Sequence, residues 1–541
     1  MDDFVDPNPI AGAIGDWRGE PQQALFDEIA AQTVKRSLRE PVSIVHDPLT
    51  RRRGLAFGLG AAGHAFFPRL GVLAPLYPEW LGDRRFLDTH GVRFAYVGGS
   101  MARGIASTDL VIALGEVGAL GMFGAAGLRL AEVETAIQRI SSVLDGRGLP
   151  WGCNLIHSPN EPALEEHLVG LYLRRNVRRV EASAFMRLSK AVVRYACAGL
   201  TASLDGIPLR ARHLFAKVSR EEVAEAFLSP PPETILAALQ ADGVLSAGEA
   251  ALARRLPVAD HVIVESDSGG HTDNRPLGSL FPVIARVRDR LARHHGFSQP
   301  THLGAAGGLG TPGALAAAFA MGAAFVVLGS VHQGAVESGV CDDARAMLAE
   351  AGPADVGMTA SADMFEMGVK VQVLARGTMM AARGNQLYQL YRSYDSIEAI
   401  PAPIRSRLET EVFRMPIAEI WRRTEAFFAG DPDEIARAEA DPKHQMALIF
   451  RWYLGNSSRW PIIGETERRV DYQLWCGPAM GAFNRWAAGS FLERPKARTL
   501  EQIALNLMEG AATVTRAHQL RTCGLDVLPE AFDYRPERLR P

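Results

Sequence analysis

Eight short runs of apolar and small residues recur between residues 92 and 330, and they limit what this chain can fold into. They are VRFAYVGG from Val92, ALGMFG from Ala119, WGCNLI from Trp151, RRVEAS from Arg178, HLFAKVS from His213, HVIVES from His261, THLGAAGG from Thr301 and AFVVLGS from Ala324. Each is short enough for a strand, suited to burial on both faces, and followed by a longer stretch of helical period. Strands of that kind joined through helices build parallel sheets. Eight such units in succession predict an α/β fold of the (β/α)8 TIM-barrel type, with an open doubly wound sheet as the alternative.

The flanks read differently. Residues 1–90 are expected to form an N-terminal extension packed on the barrel, with one helix over Gln22 to Arg39. Residues 91–340 are the barrel, and PPPETILAALQADGVLSAGEAALARRLPVAD predicts a helical insertion at about 230–257 between the fifth and sixth strands. Residues 341–541 are expected to form a helical C-terminal subdomain. Five of the eight tryptophans (Trp421, Trp452, Trp460, Trp475 and Trp486) fall there, so the aromatics pack a second core or wall an apolar substrate site.

Composition removes several function classes. A formal charge of -3 gives no basic footprint for nucleic acid. Five scattered cysteines without CxxC spacing point to neither a disulfide frame nor a metal site, and they suit a reducing cytoplasm. The longest apolar run, Gly313 to Gly329, is short for a membrane span. The acidic start MDDFVDPNPIAG has no apolar segment of the signal-peptide kind, so a cytoplasmic protein is expected.

The loops after the strands carry the chemistry. After the seventh strand, AAGGLGTPGAL places Gly307, Gly308 and Gly310 before a helix capped by Thr311 and opened by Pro312. After the eighth, Gly329 and Ser330 offer a second set of donors. Two such loops on adjacent strands predict a phosphate site. No GxxxxGK[ST] occurs, nor a GxGxxG after an early strand, so neither a P-loop nor a separate Rossmann unit is indicated. The first strand ends in Gly98, Gly99, Ser100, Met101 and Ala102, a slim surface at the mouth. Asn154 offers donor and acceptor together, or a cap for the next helix. Lys217 is a point charge placed to face an anionic ring of a bound cofactor, or a salt bridge at the strand end. The sixth strand runs into SDSGGHTDNRP, where Ser268, Gly269 and Gly270 precede His271.

SDSGGHTDNRP together with AAGGLGTPGALAAAFAMGAAFVVLGS resembles the flavin-dependent group that contains nitronate monooxygenases and FMN-dependent enoyl-acyl-carrier-protein reductases. LAALQADGVLSAGEAALARRLPVAD, DMFEMGVKVQVLARGTMMAARGNQLYQLYRSYDSIEAIP and DYQLWCGPAMGAFNRW extend a closer resemblance over nearly the whole chain, to the PfaD family of trans-acting enoyl reductases. That resemblance implies FMN in the barrel mouth, NADPH as hydride donor and an enoyl thioester on an acyl carrier protein as acceptor. The setting is a polyketide or polyunsaturated-fatty-acid synthase megacomplex. It implies that Gly98 to Ala102 and Asn154 line the flavin ring and that Ser268, Gly269 and Gly270 pass beside it. Gly307, Gly308 and Leu309 with Gly329 and Ser330 hold its phosphate, and His271 stands beside the reacting carbon. The competing expectations are a nitronate monooxygenase, whose histidine is a base, and a catalytically silent docking scaffold.

Overall fold

A computed structural model of the chain describes residues 13–159 and 161–540; the acidic segment 1–12 lies outside the described residues. Eight parallel strands close into a barrel: β1 (Tyr96–Gly98), β2 (Leu120–Phe123), β3 (Trp151–Ile156), β4 (Arg179–Ser183), β5 (His213–Val218), β6 (His261–Glu265), β7 (His302–Ala306) and β8 (Phe325–Leu328). Each strand pairs with its sequence neighbours, and β8 returns to β1 with Val327 opposite Val97. The runs are apolar on both faces because one face meets the helices and the other fills the barrel.

The N-terminal end of the barrel is plugged. Asp83 caps the helix Arg84–His90 by accepting the Arg85 N–H at 2.8 Å, and Gly91 ends it in the left-handed region at φ 65°. Its Phe86 is fully buried and stacks on Phe325 at 4.4 Å between ring centres, within a cluster that includes Val97, Phe215 and Ile263. Beneath lies a chain of imidazoles. Arg179 Nε donates to His90 Nδ1 at 3.0 Å, so His90 Nε2 keeps the proton and donates to His261 Nε2 at 2.9 Å. His213 Nδ1 is 2.6 Å from Asp260 Oδ2. Burial drives His90 well below the usual imidazole range and His261 down to about 3. Side chains thus fill the lower end of the barrel.

After β8 the chain forms a helix of a single turn, Ser330–Gln333. The eighth helix of the ring is supplied instead by Leu500–Thr522, which lies between the helices Pro312–Ala320 and Thr108–Val117. Its Leu507, Met508 and Ala511 share the barrel core with Leu110 and Leu315. Gly510 permits the approach, since a Cβ there would stand 2.5 Å from the Pro312 ring. The range expected to be one helical subdomain therefore serves two cores, because the barrel needs an eighth helix that the segment after β8 is too short to give. The second core draws on residues from Val340 to Met480, among them Phe365, Leu387, Phe413, Ile449 and Tyr453. It also holds a β-hairpin, β9 (Val356–Ala360) and β10 (Lys370–Leu374).

The N-terminal extension departs from the sequence expectation. It is a five-stranded antiparallel sheet in the order Gly15–Gly19, Ala65–Leu73, Val42–His46, Arg53–Phe57, Ala24–Leu25, and the expected long helix shrinks to Ala31–Arg36. Ala24 and Leu25 pair with Ala56 and Leu55, a non-local contact that outweighs their helical propensity. The sheet packs through Val42 and Leu55 on Ala517 and Leu520 of the closing helix. Between β5 and β6 lie the helices Glu233–Ala241 and Ala247–Ala253, the second opened by a Ser246/Glu249 capping box. Among the described residues no helix is long and apolar enough to cross a membrane.

Candidate active site

The loops after the barrel strands gather the residues singled out in the sequence on one face. Lys217 of β5 lies 2.9 Å from Glu265 Oε1 of β6 and 3.7 Å from Glu181 Oε1 of β4. Burial opposes the ammonium charge, but the two carboxylates outweigh it and hold Lys217 above the ordinary lysine range. Of the two readings of Lys217, the structure shows the salt bridge at the strand end, extended to a cluster of two carboxylates. Ser100 joins it, its Oγ donating to Glu181 Oε1 at 2.6 Å and its backbone N–H to Oε2 at 3.2 Å. The rest of that loop is folded on itself, with Met101 O accepting from Ala106 N–H and Ala102 O from Ile105 N–H, both at 3.1 Å. Asn154 is buried, and its Oδ1 accepts from the Ala126 N–H at 3.0 Å, so it fastens the β2 loop rather than capping a helix.

The glycines divide into two kinds. At Gly307, φ is +85° and a Cβ would stand 2.5 Å from Ser266 Oγ, so this residue must be glycine for packing. Gly308 and Gly329 have nothing within 4 Å of the place a Cβ would take. Both front open space beside the helix that Thr311 caps by accepting from Ala314 N–H. Ser330 and Gly98 border the same loops, but Ser330 Oγ accepts the Gly477 N–H at 3.0 Å and Gly98 packs against Leu114 and His332. Leu309 buries its side chain in the barrel wall, so only its backbone can reach a ligand.

The stretch SDSGGHTDNRP does more than leave the sixth strand. Gly270 and His271 form a two-residue strand antiparallel to β10, opposite Gln372 and Val371. Gln372 Nε2 donates to Asp267 Oδ1 at 2.7 Å and to Ser268 O at 2.8 Å, and its Oε1 accepts from Asn274 Nδ2 at 3.0 Å. Ser268 Oγ turns back to Glu265 at 3.2 Å, and Arg220 grips Asp273 through two contacts of 2.9 Å. From the other side the segment Leu474–Gly477 lies over Gly269, where a Cβ would stand 2.7 Å from Cys476 N. Gln333 Nε2 ties that segment down through Trp475 O at 3.0 Å. Burial pushes the Cys476 thiol up to about 12 and Cys153 higher still, so neither is an available nucleophile.

His271 is left partly exposed, its Nε2 3.4 Å from both Asp363 Oδ1 and Ser361 Oγ at the tip of the β9–β10 hairpin. Burial pulls the imidazole down, but Asp363, and then Glu265, outweigh it and raise His271 above its ordinary value. Burial works the other way on Asp363, and the His271 ring overcomes it to hold the carboxyl well below the usual range. An imidazole biased toward its protonated form is suited to give up a proton. Asp363, Gln372 and the Leu474–Gly477 segment were not identified as site residues from the sequence. They lie in the segments DMFEMGVKVQVL and DYQLWCGPAM, whose only sequence signal was their match to a family.

The nitronate monooxygenase family profile matches residues 85–385, and a profile described as acyl-carrier-protein S-malonyltransferase, inserted helical domain, matches residues 394–472. One polyunsaturated fatty acid synthase polypeptide of Thraustochytrium sp. is 46% identical over 541 residues, covering 98% of this chain and 35% of that protein. The polyketide biosynthesis protein PksE of Bacillus subtilis is 41% identical over 443 residues, covering 82% of this chain and 57% of that protein. The chain thus spans between about a third and somewhat over half of these curated relatives. Among solved structures, the enoyl reductase domain of MlnA from the macrolactin biosynthesis cluster of Bacillus amyloliquefaciens matches with a TM-score of 0.79 and 36% identity, over 82% of this chain and 99% of that one. The chain belongs to the nitronate monooxygenase family, in the PfaD-like branch that it shares with polyunsaturated fatty acid synthase polypeptides and polyketide enoyl reductase domains.

Proposed function

We propose that this protein is an NADPH- and FMN-dependent enoyl reductase that acts in trans, in the cytoplasm, on α,β-unsaturated thioesters carried by an acyl carrier protein of a polyketide or polyunsaturated fatty acid synthase. The observation that carries the reading is the meeting of His271 with two open glycine loops at one barrel mouth, under a wall supplied by the C-terminal unit. The residues fit a flavin. Gly308 and Gly329 leave open space where a side chain would stand, the Gly313 N–H at the start of the helix Pro312–Ala320 is left over by the Thr311 cap, and Asn154 keeps an amide nitrogen without a partner among the described residues. The bound flavin would supply the hydride, taken from the dinucleotide and passed to the β-carbon of the thioester.

The chain's own part is to bind, orient and protonate. Gly98 to Ala102, Asn154 and Ser268 to Gly270 would border the ring, while Gly307 to Leu309, Gly329 and Ser330 would hold the phosphate. The Lys217 cluster would fix the floor of the pocket. Charge builds on the thioester oxygen as hydride arrives, and a donor in a site shielded from water lowers that barrier. His271 is that donor or the acid that completes saturation at the α-carbon.

The nitronate monooxygenase reading keeps one specific support, the profile match over the barrel itself. Its histidine would be a base, whereas His271 is biased toward the protonated form. The test is steady-state anaerobic turnover of purified protein supplemented with FMN. Oxidation of NADPH that depends on a carrier-bound enoyl thioester supports the proposal. Turnover of a nitronate with no response to NADPH supports the rival, and protein that retains no flavin leaves only a docking role.

A further inference from the structure

The hairpin that pairs with the GGH loop brings a second functional group with it. Val371 of β10 fixes the backbone of His271, and the tip between β9 and β10 places Asp363 Oδ1 3.4 Å from His271 Nε2. Ser361 Oγ, 3.4 Å from the same nitrogen, donates to Asp363 and holds its carboxylate in place. Contacts of this kind are commonly long before reactants bind. The other ring nitrogen, Nδ1, has no hydrogen-bond partner among the described residues and is not sealed from solvent. The two nitrogens are therefore inequivalent: one faces a fixed acceptor, the other faces none.

We infer that Asp363 is the positioning residue for His271, holding Nε2–H so that Nδ1–H is the proton delivered to the substrate. The inference rests on the enoyl-reductase reading. In the balanced step, hydride carries two electrons to the β-carbon and the Nδ1–H bond breaks as the α-carbon gains its proton. Saturated thioester and neutral imidazole remain, the Nε2–H still facing Ser361 and Asp363, and water restores the lost proton. The arrangement orients the protonated ring and selects the Nε2–H tautomer of the neutral one, which is what a carboxylate does for a catalytic imidazole elsewhere. Asp363 itself is half exposed and touches the ring rather than the reacting carbon.

Other charges meet the ring from the barrel side. Glu265 of β6 favours its protonation, and Lys217 of β5 opposes it. Arg103 of the β1 loop also feels the Asp363 carboxylate. Asp363 is the hairpin acid that faces the ring, Glu366 of the same tip pairing with Arg451 instead, and removal of Asp363 leaves Glu265 and Lys217 acting against each other.

The test uses full-length protein loaded with FMN, with histidine labelled by 15N. In wild type, His271 should titrate above an ordinary histidine, and its neutral form should be protonated at Nε2. D363A should scramble the tautomer and lower the titration midpoint, D363N should lower the midpoint, and D363E should restore both. In turnover, the kcat deficit of D363N should be large above pH 8 and close below about pH 6, where an unassisted imidazole is already protonated. KM should move less than kcat. An unchanged His271 titration and tautomer in both D363A and D363N overturns the inference. The NMR readout needs no substrate, so intact coupling without enoyl turnover counts against the enoyl-reductase reading alone.

Discussion

Gly269 and Gly329 border the same mouth, yet a methyl group added at each meets different surroundings. At Gly269 it strikes the Trp475–Cys476 backbone, so Gly269→Ala should cost about 1–3 kcal/mol in denaturant unfolding as the overlying segment shifts. At Gly329 it meets nothing within 4 Å, so Gly329→Ala should change stability by less than about 0.5 kcal/mol. Its effect should appear in FMN titration as weaker retention, since the methyl occupies the cradle. His271→Ala should keep FMN and lower kcat for enoyl reduction by about 100-fold or more, measured under saturating NADPH. Unchanged turnover would remove His271 from the chemistry. The mouth glycines and His271 could be singled out in the sequence because they cluster at the ends of successive strands. Asp363 and Gln372 were not, because their partners lie 90 or more positions away and only the folded hairpin brings them together.

The β9–β10 hairpin is the element that makes the C-terminal unit part of the site. Gln372 satisfies Asp267 and Ser268 and is satisfied by Asn274, so it joins the hairpin to the motif loop on both sides. Gln372→Ala strands the Ser268 carbonyl and leaves Asp267 with Asn274 alone, an effect of about 1–3 kcal/mol on this local unit. Amide exchange at Gly270 and His271 should then quicken while barrel strands stay protected, and uniform protection would contradict the pairing. Element by element, sequence periodicity found what local pattern determines. The eight barrel strands are buried on both faces and read as continuous apolar runs. The N-terminal sheet is antiparallel and set by distant pairing, and the eighth helix of the ring comes from the end of the chain, so neither had a local signature.

At the scale of the whole molecule, the buried imidazoles of the barrel bottom and of the turn after β8 have a pH consequence. Burial holds His90, His261 and His332 well below the ordinary imidazole value, with His261 and His332 at about 3, while unfolding frees them to titrate normally. The unfolded chain therefore binds more protons below about pH 6.5, and the fold loses stability as pH falls. His271, raised in the fold, works in the opposite sense as a single group. Tm should drop between about pH 6.5 and 5, before carboxylates titrate appreciably, and a flat Tm over that window would contradict buried neutral imidazoles. The central claim concerns the other end of the barrel, where the two units meet over His271. Its most direct test is a sequential anaerobic stopped-flow experiment on FMN-loaded protein. NADPH should bleach the flavin absorbance, and a subsequent mix with a carrier-bound enoyl thioester should restore it with one saturated thioester formed per flavin. A flavin that ignores NADPH but is bleached by a nitronate, or one that NADPH reduces and the thioester leaves reduced, would contradict the account.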